Sequence, residues 1–475
     1  MVSDIDALGD LERQLEGRVI GPDHRDYDET RVIFNATIDR RPAVIALPES
    51  TDEVAAAVRA ALAAGVPIAV RGGGHSVAGH AVADGAMTID LRRMRTVTVD
   101  PVARRARVAG GALWEDVDKA TVPHDLGTTG GTFWDTGVGG LTLTGGLGYL
   151  MGTAGLTCDN LMRATVVTAT GAVVEAGPGG DPELLWALRG GGGNFGVVTE
   201  FEFQLHPIGP WQVGWYTAHL GDAEAALLEL AAFVHDMPDE IVIFVEGPTT
   251  ADAEVVTDSA TTSDPASAGE AVTGPADRVG CALRFHGSRE AAEAAFAPLA
   301  AQSLWSGSVT SRTYVEIQSD GTLPFGLRHY WKGHFLRELD APAAAAIATA
   351  MRTAPPGSMS FVLLEAMNGR ARIEPAGGAA FGQREARWNA SAIAIWEDPA
   401  DDAAQIAWAR RTTDGLAISS LSGAGYGNYA PVDETDDRVR AGYGPERYAR
   451  LRAVKRRYDP DNVFRYNHNI PPADR

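Results

Sequence analysis

Cysteine is nearly missing: Cys158 and Cys281 are the only two in 475 residues. Two thiols so far apart build neither a disulfide framework nor a metal-binding cluster. No metal site is expected, and a reduced compartment is, the cytoplasm by default. Lysine is scarcer still for its class, with Lys119, Lys332 and Lys455 the only three among 41 basic residues. Against 62 acidic residues this leaves a net charge of −21. Such a surface repels phosphate backbones and anionic headgroups, so neither nucleic acid nor a membrane is expected as a partner. No apolar run approaches the length needed to cross a bilayer. Met1 to Gly17 has neither a basic start nor an apolar stretch, so no secretory leader is expected. Repeats at solenoid periods are absent too.

What is present is an ordinary soluble composition, 45% hydrophobic and 22% charged, in a chain long enough to need two lobes. Glycine, at 54 residues, is concentrated in three places. The first is Arg71-Gly72-Gly73-Gly74-His75-Ser76, directly after the apolar run Val66 to Val70. A buried strand ends there, and consecutive glycines let the backbone turn and lie close to a ligand. Its N–H groups form a nest suited to a pyrophosphate, Arg71 is expected to add a fixed charge beside it, and His75 places a nucleophile at its lip.

The second place is residues 127 to 157, where Gly137-Val138-Gly139-Gly140 and Gly145-Gly146-Leu147-Gly148 follow one another. That density is incompatible with ordinary helix or strand interiors. Phe133, Trp134, Leu141, Leu143, Leu147 and Tyr149 argue against a loose linker, so this stretch is expected to wall a large flat ligand. The third place, Gly191 to Gly196, matches G-x-G-x-x-G by letter. A helix over Pro182–Leu188 precedes it and a strand over Val197–Leu205 follows it, which is the wrong order for a dinucleotide fold.

In chain order, Ser50 caps a helix reaching Ala64, and short strands are expected at 43–48, 66–70, 86–91, 96–100 and 105–109. Asn160 to Glu175 reads as a strand pair turned at Thr170-Gly171. The texture changes at His206 to Pro210. Beyond it, strands at 212–219, 240–246, 279–285 and 359–365 mix with helices at 223–236, 288–300 and 341–352. Residues 249–277, rich in Thr, Ala, Asp, Ser and Pro, suit a mobile insertion. A basic helix over 446–457 closes the chain. Three segments result: 1–208, 209–416 and 417–475.

Three separated stretches carry a family likeness. Arg71 to Ser76 resembles the flavin-attachment loop of the berberine-bridge-enzyme-like FAD-linked oxidases. Leu184-Leu185-Trp186-Ala187-Leu188-Arg189 with the glycine run to Val197-Val198 is similar to that family's hallmark. Tyr458-Asp459-Pro460-Asp461-Asn462-Val463-Phe464 to Asn469-Ile470-Pro471-Pro472 resembles its C-terminal signature. The resemblance implies an α+β fold: a two-lobed PCMH-type FAD-binding domain built from the N-terminal part and the C-terminal tail. A substrate domain of antiparallel sheet backed by helices is inserted between them.

The resemblance further implies FAD bonded to His75, with contacts from Arg71, Gly72, Gly73, Gly74, Ser76, Thr136, Gly139, Gly140, Gly145, Gly146, Val197, Val198, Asn467 and Asn469. Many relatives add a second bond through a cysteine. Here Phe133 stands at that place, so a single link is expected and Cys158 is expected to be an inert packed thiol. Thr136 falls where relatives control oxygen entry, and its small side chain leaves access open. Tyr426-Gly427-Asn428-Tyr429 resembles the family's Y-x-N-Y motif, which makes Tyr426 the expected base, Asn428 its positioning partner and Tyr429 a second candidate. A phenol with a reference pKa near 10 needs its phenolate stabilised to act so. Arg384 is read as a substrate-orienting or an exposed residue, and Trp331, Trp388 and Trp396 as pocket or core. The implied reaction is hydride transfer from a small-molecule alcohol, sugar or amine, with dioxygen as acceptor and hydrogen peroxide as product. A dehydrogenase with another acceptor and a non-catalytic flavin-binding protein remain as alternatives.

Overall fold

The structure is a computed structural model that describes residues 2–249, 276–319, 321 and 325–474. The expected insertion at 249–277 therefore lies almost entirely outside the described residues. Among the described residues there are four sheets, one of only two short strands, Leu126–Gly127 and His206–Pro207. In the first, Val19–Ile20, Val44–Ala46, Met87–Asp90 and Ile68–Arg71 lie side by side, the last three parallel. Helix Thr51–Ala63 makes the crossover between two of them, its N-cap Ser50 accepting from Glu53 N as the sequence suggests. The second sheet is antiparallel, in the order Val97–Asp100, Arg105–Ala109, Val197–Gln204, Leu161–Val167, Val173–Ala176. The strand after the third glycine run thus sits in an antiparallel sheet, as rejecting the dinucleotide fold requires.

The third sheet has seven antiparallel strands, ordered Ser306–Arg312, Trp211–His219, Arg278–His286, Ile241–Thr249, Phe361–Ala366, Trp388–Trp396, Arg328–Leu336. Helices Ala223–Asp236, Ala341–Arg352 and Asp402–Leu416 bury one face of it around Leu227, Ile347, Trp388 and Trp408. The other face packs against Phe34, Val77, Leu147, Met151 and Tyr426. Strand periodicity sorts its residues: on Arg328–Leu336 the odd positions His329, Trp331 and Phe335 meet Phe34, Tyr429 and Tyr426, while Tyr330 and Leu336 join the helix-covered core. Trp388 and Trp396 also belong to that core, so of the three tryptophans only Trp331 reaches the cavity.

Three expectations need correction. Val138–Leu143 is a short α-helix despite Gly139 and Gly140. It is held by tertiary packing, with Gly139 lying against Gly110 O and the Phe201 ring, and packing overrides propensity. Strands 306–312, 328–336 and 388–396 escaped the sequence reading. In Trp388–Trp396 all nine residues are buried, so no alternation of polar and apolar positions marks it. The closing helix begins at Asp436 rather than 446, with a break at Gly444 just before Pro445.

The C-terminal tail is tied to the first half of the chain by one buried cation. Lys455, fully buried, donates to Asp459 at 2.6 Å, to Asn194 O at 2.8 Å and to Phe464 O at 2.8 Å. Asp459 in turn accepts from the backbone N–H groups of Val463 and Phe464. Burial lowers the Lys455 ammonium and Asp459 opposes that. Removing one partner strands the other charge in the core, which typically costs about 3–5 kcal/mol. Lys455→Met is expected to lose stability on that scale in denaturant titration and to loosen the Asn194 and Phe464 segments together; an unchanged midpoint would show that the tail's other contacts hold it without Lys455.

Candidate active site

The turn after Ile68–Arg71 and the loop before Val138–Leu143 meet backbone to backbone. A Cβ placed on Gly73 would lie 2.5 Å from Gly137 N, and one on Gly137 would collide with Gly73 N. Gly74 bends the chain back at φ 77°. Beside this contact opens a cavity of about 340 Å³, within the usual range for small-molecule sites. Gly72, Gly73, Gly74, His75, Ser76, Thr136, Gly139, Gly140, Val197, Val198 and Asn467 wall one part; Trp331, Phe335, Phe381, Tyr426, Asn428 and Tyr429 wall the other.

Four expected wall residues stand elsewhere. The Arg71 guanidinium is not a free charge beside the nest. It is 7% exposed, donates to Thr30 O at 2.8 Å and faces Asp90 at 3.6 Å, supporting the turn from below. Burial lowers it to about 10, against the pull of Asp90. Gly145 and Gly146 turn toward Tyr426 instead of the cavity, and Asn469 does not line it. Arg384 is neither exposed nor in the cavity: its guanidinium forms a bidentate, buried pair with Asp159, 2.8 Å on one arm. The Cys158 thiol is fully buried and burial raises it, which suits an inert side chain.

His75 stacks on Phe34, ring centroids 4.7 Å apart, and meets Phe325 edge-on at 5.3 Å. Its Nε2 is 3.5 Å from the Asp135 carboxylate. On the opposite wall, three N–H groups converge on the Tyr426 hydroxyl oxygen: Gly146 N at 2.9 Å, Leu147 N at 3.1 Å and Asn428 Nδ2 at 2.8 Å. A neutral phenol has two lone pairs and its own proton to place, so three donors on one oxygen match the phenolate better. Burial raises the Tyr426 phenol, Asn428 lowers it, nearby Glu365 raises it and the two backbone donors lower it; the net direction is upward.

Tyr429 donates to Glu365 Oε1 at 3.1 Å, and Asn389 donates to the other oxygen at 2.6 Å. Glu365, fully buried, is raised by burial to about 7. The sequence reading passed over this carboxyl, although an acid inside the apolar strand Phe361–Ala366 is the signal that marks it. His80 and His468, in edge contact at 4.9 Å, also reach the cavity and were missed; burial lowers both.

FAD suits this set. Glycine backbone at Gly72, Gly139, Gly140, Gly192 and Gly193 lines the cavity and leaves room for a flat ring system, and His80 Nε2 and Asn467 Oδ1 are buried polar atoms without hydrogen-bond partners in residues that line it.

Comparison with known proteins agrees with that chemistry. The FAD-binding-domain family model matches residues 42–177, and the model described as berberine and berberine like matches 425–471. The (R)-6-hydroxynicotine oxidase of Paenarthrobacter nicotinovorans is 32% identical over 479 residues, covering 96% of this chain and 97% of its own. The chain belongs to the berberine-bridge-enzyme-like FAD-linked oxidoreductases. The crystal structure of 6-hydroxy-D-nicotine oxidase from Arthrobacter nicotinovorans superposes on this flavoenzyme with a TM-score of 0.82 at 31% identity, covering 96% of this chain and 98% of that one. Glucooligosaccharide oxidase from Acremonium strictum shares the fold at a TM-score of 0.84 and 23% identity, covering 98% and 100%; its FAD is described as 6-S-cysteinyl, 8α-N1-histidyl. The inserted antiparallel sheet with its helices is thus part of a PCMH-type oxidase architecture.

Glu365 also links the flavoenzyme's stability to pH. Its ordinary value is 4.5 and its folded value about 7, so between these the unfolded chain gives up a proton that the fold retains. Stability contributed by this group therefore falls as pH rises through that window, by about 3 kcal/mol in all. Glu365→Gln is expected to remove this fall. The check is the difference in unfolding free energy between wild type and variant at pH 5 and pH 8; a pH-independent difference would show that Glu365 is not held protonated.

Proposed function

We propose that this flavoenzyme is an oxidase. It takes hydride from a small-molecule alcohol, sugar or amine onto FAD attached through His75 alone, and it passes the electrons to dioxygen, giving hydrogen peroxide. The observation that carries the reading is the convergence of three N–H donors on the Tyr426 hydroxyl at the cavity wall. When bound, FAD supplies the hydride acceptor. The chain's own residues do the rest.

Tyr426 takes the O–H or N–H proton of the substrate. It does so as its phenolate: burial raises the phenol, and the Gly146, Leu147 and Asn428 donors lower the cost of ionising it. Tyr429, with its ring 4.9 Å from that of Tyr426, is itself held by its hydrogen bond to Glu365. Trp331, Phe335 and Phe381 exclude water from the same space. His75 is a competent nucleophile in its neutral form, and a flavin bonded to it is held in one pose. Phe133 lines the cavity where a second attachment would require a thiol, which supports the single link. Thr136, small and in the wall, leaves dioxygen a way in. The named oxidases among its relatives act on a hydroxynicotine and on oligosaccharides, which supports both amine and sugar classes as substrates.

Acid precipitation is expected to leave yellow flavin in the washed pellet of the wild type and none in that of His75→Ala. Peroxide production across a panel of sugars, alcohols and cyclic amines then selects the substrate. With that substrate, Tyr426→Phe is expected to slow anaerobic flavin bleaching by about 10²–10⁴-fold and to abolish its rise with pH. Unchanged bleaching would remove Tyr426 as the base, and bleaching without oxygen uptake would make the protein a dehydrogenase.

A further inference from the structure

The Asp135 carboxylate has no part in substrate oxidation, yet it stands at the attachment histidine. Its Oδ2 is 3.5 Å from His75 Nε2, and both His75 Nε2 and Asp135 Oδ1 are buried without a hydrogen-bond partner. The backbone sets this pairing. Gly73 and Gly137 lock the two loops together, and the Asp135 loop is fixed further by Trp114 N donating to Thr136 O at 3.0 Å and Glu115 N donating to Trp134 O at 2.7 Å. Phe34 covers one face of the imidazole and Phe325 meets its edge, so the ring has little freedom to turn away. Nε2 is the sealed ring nitrogen and His75 lines the cavity, which leaves Nδ1 as the nitrogen with access.

We propose that Asp135 is the positioning residue and proton acceptor for flavin attachment: it holds His75 as the Nε2–H tautomer, so that the Nδ1 lone pair makes the bond. The inference rests on the His75 link proposed above. A carboxylate on one imidazole nitrogen selects the tautomer and supports the cation that forms when the other nitrogen reacts. The balance closes. The bond formed is Nδ1 to the 8α carbon, and the bond broken is one C–H at that carbon, which leaves as a proton. The substituted imidazole sheds its Nε2 proton to Asp135, which releases it to solvent. The electron pair left behind goes to dioxygen, and with the two protons gives one hydrogen peroxide.

The test is reconstitution of apoprotein with FAD in air, following two quantities over time: flavin that survives gel filtration of native protein, and flavin that stays with acid-precipitated protein. Asp135→Asn keeps an acceptor for Nε2–H but is a far weaker proton acceptor; Asp135→Ala removes both functions. Both variants are expected to bind flavin as the wild type does and to fix it at least tenfold more slowly, Asp135→Ala the slower. Asp135→Glu, or formate added to Asp135→Ala, is expected to restore part of the rate. Attachment by Asp135→Asn at the wild-type rate would overturn the proposal and leave the His75 link standing. Loss of native flavin binding in all three variants would make Asp135 part of the scaffold and also overturn it. A wild type whose flavin is released by acid would instead fail the His75 reading itself.

Discussion

The contact between Gly73 and Gly137 is the constraint from which the rest of the site follows. Two backbone segments touch where any side chain would force them apart. That approach puts His75 at the end of one segment and Thr136 at the end of the other, both lining the same cavity, with Asp135 3.5 Å from His75 Nε2. It also sets the start of the helix Val138–Leu143, whose Gly139 lies against Gly110 O. Because the contact is made by main chain, side-chain rotamers cannot relax it, and the geometry at the attachment histidine is correspondingly stiff.

The opposite wall is built by different physics. A seven-stranded antiparallel sheet offers two faces, and period two assigns residues to them without ambiguity. One face packs on helices around a largely apolar core. The other presents Trp331 and Phe335 to the cavity and holds Glu365 behind Tyr429. A carboxyl in that position is costly unless it is neutral or hydrogen-bonded, and here Asn389 and Tyr429 supply the bonds. The Tyr426 donors come from yet another place, the turn at Gly146 and Leu147, so the catalytic phenol is held across the boundary between the two walls. The buried Lys455 knot closes the arrangement by fixing the tail that carries Asn467 and His468.

Much of this was legible in the chain. Local signals sufficed for Ser50 as a cap, for the helix Pro182–Leu188 and for the turn at Thr170-Gly171. Family likeness, carried by motifs near residues 75, 190, 426 and 460, led to the flavin and to the cluster of candidate residues. The reading failed where the signal was not local. Arg71 looked like a charge available to a ligand and Arg384 like a substrate-orienting or an exposed residue, and each faces an acid instead, Asp90 or Asp159. Trp388–Trp396 hid as a strand because both its faces are buried.

The sequence by itself determined the class of elements, the places where backbone must approach a ligand and the identity of the chemically able side chains, since each depends on neighbours within a few residues. Only the tertiary structure decided which of those side chains act together. Tyr426 meets its two backbone donors across about 280 residues, His75 meets Asp135 across 60, and Glu365 meets Tyr429 across 64. Hydrogen bonds and ion pairs act over about 3 Å, and no property of a residue's own segment specifies which distant atom will occupy that distance.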